Sequence, residues 1–235
     1  YLKASFDENG ELVSVYDKKN DREALCGNGN VLTVYQDKPI HESAWNIEYD
    51  YRMTPYPVTK AESAEVTENS AVRGEIKIVK RFNKSVITQY VSLDAGAKKI
   101  DFRTVVDWHE TEKVLKASFP VTVRSMFSTC ESAHGSVQRP THRNTSIDLA
   151  KFEICMHKWV DLSESGYGVS VLNDCKYGCD VTDNVISITL MRAPVCPDPT
   201  GDIGMNEFTY SLAPHADTWQ DAGISQLAYS LNVPL

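Results

Sequence analysis

Lys99-Ile100-Asp101-Phe102-Arg103-Thr104-Val105-Val106-Asp107-Trp108 is the stretch that decides the fold. Polar and apolar residues alternate along it. Successive side chains of a strand point to opposite faces, so such a run buries one face and wets the other. The same alternation recurs in residues 11–16, 31–35, 74–80 and 85–93, filled with the β-branched and aromatic residues that suit a half-buried sheet. Turn signals such as Asp17-Lys18-Lys19-Asn20 and Gly27-Asn28-Gly29-Asn30 separate the runs at intervals of 8 to 15 residues. That spacing predicts an all-β chain folded as a large antiparallel β-sandwich. Helical signal is sparse. Thr111-Glu112-Lys113-Val114-Leu115-Lys116 is expected to form one turn, and residues 222–228 a short helix, with Asn232-Val233-Pro234 extended. Residues 53–60, with Pro55 and Pro57, read as an exposed excursion. Residues 192–204 carry Pro194, Pro197, Pro199, Gly201 and Gly204, which cannot all sit inside a sheet. They predict a long loop, the kind of element that carries function on a rigid sandwich.

The chain has 235 residues, 24 Lys plus Arg against 32 Asp plus Glu, and a net charge of -8. This length is enough for one domain over residues 1–235 with a full core. The acidic balance argues against a nucleic-acid partner, which needs cations in excess. No apolar run approaches the roughly 20 residues that span a bilayer, so no membrane partner is expected. Tyr1 is not methionine, and Tyr1-Leu2-Lys3-Ala4-Ser5-Phe6 reads as a strand in progress, so the sequence is expected to begin inside a longer chain. The six cysteines at 26, 130, 155, 175, 179 and 196 include one close pair, C-x3-C, and no second. They are expected to be free, mostly buried thiols in a reducing compartment, hence a cytoplasmic location.

Chemistry could sit in several places. Gln138-Arg139-Pro140-Thr141-His142-Arg143-Asn144-Thr145-Ser146 offers donors to sugar hydroxyls through Arg139 and His142, but it reads more readily as a solvated turn that ties down its own backbone. Lys176 and Tyr177, in Asn173-Asp174-Cys175-Lys176-Tyr177-Gly178, could project into a cleft or merely cover a sheet edge. In the long loop, Asp198, Asp202 and Glu207 stand near Arg192; they could serve glycoside hydrolysis, which uses a carboxyl pair, or act as structural ion pairs. Asp107-Trp108-His109-Glu110 reads as a strand end, with Trp108 inward. The six histidines lack any H-x-H, H-x3-H or HExxH spacing, so no metal site is expected from this chain.

An ordered set of segments gives more. It includes Asp37-Lys38-Pro39, Ser43-Ala44-Trp45-Asn46-Ile47, Val106-Asp107-Trp108-His109-Glu110, residues 135–146, residues 172–178, Leu190-Met191-Arg192-Ala193-Pro194, Pro197-Asp198-Pro199 and Leu212-Ala213-Pro214-His215. This set resembles the C-terminal β region of the class II α-mannosidases, glycoside hydrolase family 38, over nearly the whole chain. The resemblance implies a super-sandwich related to galactose mutarotase. It implies membership in a retaining, exo-acting α-mannosidase that uses a divalent metal, usually zinc, and acts on mannose-containing oligosaccharides. The metal ligands and nucleophile of that family lie in its N-terminal catalytic part, so no catalytic residue and no cofactor are expected here. The partner is then the N-terminal catalytic domain of the same chain, and a homo-oligomer is left open. The expected rim of the mannose pocket is Arg139, His142, Lys176, Tyr177, Arg192 and Asp198, with Trp45 as an aromatic wall. Two departures stand out. The family commonly reads Asp-Ala-Trp-Asp where this chain has Ser43-Ala44-Trp45-Asn46, and a histidine where Asn206 stands. The rival readings are a stand-alone carbohydrate-binding module and a mutarotase-like activity held within the chain.

Overall fold

The structure is a computed structural model and describes residues 1–234. The first part supplies β1 (Leu2–Phe6), β2 (Leu12–Asp17), β3 (Arg22–Glu23), β4 (Val31–Gln36), a 3-10 turn (Tyr49–Met53) and β5 (Pro55–Pro57). Long strands follow: β6 (Ala61–Asn69), β7 (Arg73–Phe82), β8 (Ser85–Asp94), β9 (Ile100–Trp108) and β10 (Lys113–Pro120). Then come β11 (Phe127–Ser132), β12 (Gly135–Pro140), the one-turn helix α1 (Ser146–Leu149), β13 (Ile154–Cys155) and β14 (Trp159–Glu164). The chain continues with β15 (Tyr167–Asn173), β16 (Gly178–Thr182), β17 (Val185–Arg192), β18 (Gly204–Ala216) and α2 (Ile224–Asn232).

The strands build three sheets. The large sheet has nine strands in the order β12-β11-β14-β15-β18-β9-β8-β7-β6, the small sheet six in the order β13-β16-β17-β10-β4-β5, and β1-β2-β3 form a flap. Every named pair is antiparallel. The alternation read from residues 99–108 is realised in β9, where Ile100, Phe102, Val106 and Trp108 are buried and the residues between them are more exposed. Leu115, Ala117 and Phe119 of β10 share one core with Phe102, Val106 and Tyr210 of the large sheet. Phe102 stacks on Tyr210 at 5.0 Å between centroids and meets Phe119 edge-on at 5.7 Å. Each such side chain contributes about 1.5–3 kcal/mol by burial.

Two expectations are corrected. Residues 111–116 form no helical turn: β10 starts at Lys113 and pairs with both β4 and β17, and cross-strand pairing overrides the local helical pattern. The second helix runs past its expected end to Asn232, whose side chain donates to Ala228 O and Asn173 O, both at 2.9 Å. Thiols also differ from expectation: all six are free, but only Cys130 and Cys179 are buried. Pro55, Tyr56 and Pro57 of the expected excursion form an exposed edge strand on β4. Among the described residues, no helix is long and apolar enough to cross a membrane.

Candidate functional site

The long loop leaves β17 at Arg192, beside the starts of β10 and of the segment that follows β4. Backbone bonds fix this corner: Asp37 N donates to Glu112 O at 2.9 Å, and Glu112 N to Ala193 O at 2.8 Å. Asp37, almost fully buried, therefore stands next to Arg192. Arg192 Nε donates to Asp37 Oδ2 at 2.5 Å, and Nη2 donates to Asp37 Oδ1 at 3.4 Å and to Asn46 O. A forked guanidinium on a carboxylate is a directional, charge-assisted contact. Ser43 makes a second tie: its Oγ accepts from Val195 N at 3.0 Å and from Cys196 N at 2.9 Å, while Ala44 N donates to Cys196 O at 3.0 Å. Residues 37–48 and 192–204 are thus one unit. Trp45 stands on it, 69% exposed. Asp198 is also exposed and accepts from Thr200 N and Oγ1, both at 2.8 Å; those donors hold its carboxyl below the usual range.

Lys176 and Tyr177 lie at the same end of the small sheet. They precede Gly178, which packs beside Thr189 near the end of β17. Asn173 Oδ1 accepts from Lys176 N at 2.7 Å, and Lys176 Nζ sits 4.4 Å above the Phe208 ring. Tyr177 is exposed, with its ring 5.7 Å from that of His157.

Arg139 and His142 are elsewhere. Asp183 N donates to Thr141 O at 2.8 Å, which puts this segment beside the β16–β17 turn, at the far end of β17 from Arg192. An eight-residue strand separates the two ends by about 23 Å. His142 Nδ1 lies 3.6 Å from Asp148 Oδ2, and its ring meets Phe127. Arg143 donates to Pro140 O, His142 O and Thr182 Oγ1, the tying-down of a turn on itself. The carboxylates of the long loop do not gather at Arg192 either. Glu207 pairs with Arg103 at 2.6 Å, and Asp202 O accepts from Asn206 Nδ2 at 3.0 Å.

A further polar centre escaped the sequence reading. Lys116 and Asp180 project from the outer face of the small sheet, opposite core-facing Leu115, Ala117, Cys179 and Val181. Lys116 Nζ lies 2.6 Å from Asp180 Oδ2 and also contacts Glu153. Arg52 adds contacts of 3.1 Å to Asp180 and 3.2 Å to Glu153. Burial alone would lower the pKa of Lys116 and raise that of Asp180. The facing charges outweigh it, so Lys116 is raised and Asp180 lowered, and both stay ionised. The only signal was a charged residue in mid-strand on each of two strands. No group of three or more His, Cys, Asp or Glu among the described residues is arranged to hold a metal, so no step at a metal is derived for this chain.

A two-layer antiparallel sandwich with a rim built from tied loops is a β domain of carbohydrate-processing type. An α-mannosidase from Enterococcus faecalis shares the fold at a TM-score of 0.83 and 17% identity over 100% of this chain and 30% of that one. A protein assigned as an aldose 1-epimerase from Escherichia coli K12 shares it at a TM-score of 0.50 and 10% identity, over 92% and 96% of the two chains. The family "Glycosyl hydrolases family 38 C-terminal domain" matches residues 1–200, and the chain belongs to that family. It is 43% identical to alpha-mannosidase 2C1 of Homo sapiens over 100% of its own length and 23% of that protein's. The chain therefore spans less than a quarter of the curated relatives it matches most strongly.

Proposed function

We propose that this chain is the C-terminal domain of a retaining, metal-assisted exo-α-mannosidase that removes terminal α-mannose from oligosaccharides. The metal, usually zinc, and the nucleophile belong to the rest of the parent protein. The domain's part is to complete the pocket rim and support the catalytic domain. The observation that carries this reading is the Arg192 corner. Asp37 and Asn46 O take Nε and Nη2, and among the described residues Nη1 makes no hydrogen bond. A buried acid thus holds the guanidinium still and leaves one nitrogen to offer to sugar hydroxyls. Trp45 supplies an apolar face for a sugar ring beside it, and Lys176, Tyr177 and Asp198 flank the same end. Arg139 and His142, at the far end, would reach only more distant sugar units of a long oligosaccharide.

The test is made in the full-length enzyme. Arg192→Ala is expected to lower kcat/KM for an aryl α-mannoside by about 10- to 100-fold, a loss of one charge-assisted contact. An unchanged kcat/KM rejects the rim. Turnover of the same substrate by residues 1–235 alone would instead favour a mutarotase-like or hydrolytic site within the chain.

A further inference from the structure

The outer face of the small sheet is covered by two irregular segments rather than by a helix. Residues 37–57 cross it first. Ile40 N donates to Glu48 Oε1 at 3.1 Å, closing the first loop, and the 3-10 turn Tyr49–Met53 follows at once. Residues 141–153 cross beside it and carry α1. The two segments touch where the Tyr49 and Phe152 rings meet edge-on at 5.5 Å. Both are pinned from below by the same buried charges. Arg52 comes from the first segment and Glu153 from the second, and both converge on Lys116 and Asp180.

What the cover turns outward is unusual for loops. Ile40 is 77% exposed, and Trp45, Met53 and Ile147 are each 69% exposed. Loops over a solvated face present polar tips; apolar tips on a cover anchored by buried ion pairs mark a surface that another surface covers. The patch is continuous with the Arg192 corner, because Trp45 belongs to both. The chain accounts for 23% of the relative of 43% identity, so most of a protein of that length lies outside these residues.

We infer that this cover is the docking face for the catalytic part of the same parent chain, with Ile40, Met53 and Ile147 seated in the interface and Trp45 at its border with the sugar pocket. The inference rests on the mannosidase reading above. On it, the Lys116–Asp180 centre serves assembly: it sets the height and register of the cover so that the rim meets the other domain in place. A second copy of the chain and open solvent are the other occupants to be tested.

Hydroxyl-radical footprinting of the full-length protein decides among them, each rate being normalised to the urea-unfolded chain. Tyr229 is the reference: it is 58% exposed on α2, which packs on the outer side of the large sheet, across the molecule. Met53 and Tyr49 are expected to be labelled at least ten times more slowly than Tyr229. Equal rates overturn the inference. Protection of Met53 that fades on dilution to nanomolar protein also overturns it, in favour of a second copy. A Met53→Asp, Ile147→Asp double variant of the full-length protein is expected to melt in two steps where the parent melts in one; a single unchanged melt counts against the interface. The two readings fail separately. Labelled Met53 with a damaging Arg192→Ala removes the docking face alone, whereas protected Met53 with a silent Arg192→Ala removes the rim alone.

Discussion

Ser43 and Asn46 depart from the acids common in the family, and the structure shows what each does. Ser43 accepts two backbone N–H groups, a task a carboxylate also performs, and Asn46 uses its carbonyl on Arg192 and its side chain on His41 O. Ser43→Ala leaves Val195 N and Cys196 N unpaired and is expected to cost about 1–3 kcal/mol by urea unfolding, while Ser43→Asp is expected to restore the tie. Asn206 likewise bonds Asp202 O and Gly204 O within its own loop, at 3.0 Å each. Gly168 is constrained by space, not by backbone angle. A Cβ there would lie 2.3 Å from Ser163 Oγ and 2.4 Å from His215 Cε1, around the buried Asp161 that both side chains bond. Gly168→Ala is expected to destabilise by about 1–3 kcal/mol in the same measurement. Lys116→Ala strands a buried carboxylate and is expected to cost about 3–5 kcal/mol. The pH dependence has a definite sign. The lowered Asp180 adds stability that is complete above its ordinary 3.8 and is lost as pH falls through its folded value; the raised Lys116 adds stability that is complete below its ordinary 10.5 and is lost as pH rises through its folded value. The urea midpoint of Asp180→Asn should therefore fall less steeply in acid than that of the parent; an identical acid limb would show that the centre adds no stability.

At the scale of elements, alternation made the long strands legible, because one buried face forces period two. It did not reveal Lys116 and Asp180, since an outward position on a strand is the place for a charge and nothing local shows that two loops will roof it over. Nor could it show that Asp37 meets Arg192, 155 positions away, or that Arg139 and His142 lie a full strand from Lys176 and Tyr177. Those facts depend on sheet order. The resemblance identified the right family and loop segments, but it treated as one rim residues that the strand separates. The second helix was legible from Ile224, Leu227 and Ala228, which share a face. Ile224 and Ala228 are buried against Trp159, Leu172 and Ala213. Ile224→Ala is expected to cost about 2–5 kcal/mol, read as a lower melting temperature, because that small cluster has no other lid among the described residues.

For the whole molecule, the large sheet ends on β6, which is exposed along most of its length. An open edge invites pairing with another chain, and this one is blunted by Glu62, Glu65 and Glu68, partnered on β7 by Arg81, Lys77 and Arg73, and by two register shifts. Replacing the three glutamates by valine is expected to raise light scattering at unchanged secondary structure. The opposite situation holds at the centre. The last strand, β18, lies between β15 and β9, each of which it pairs along most of its length. A ribosome must therefore finish almost the whole domain before the large sheet can close. Until residue 216 has emerged, the nascent chain holds two half-sheets, each ending on an unpaired apolar edge. A premature stop after residue 203 would remove only the final 32 of 235 residues, yet it would take the keystone and leave both halves as clients for chaperones.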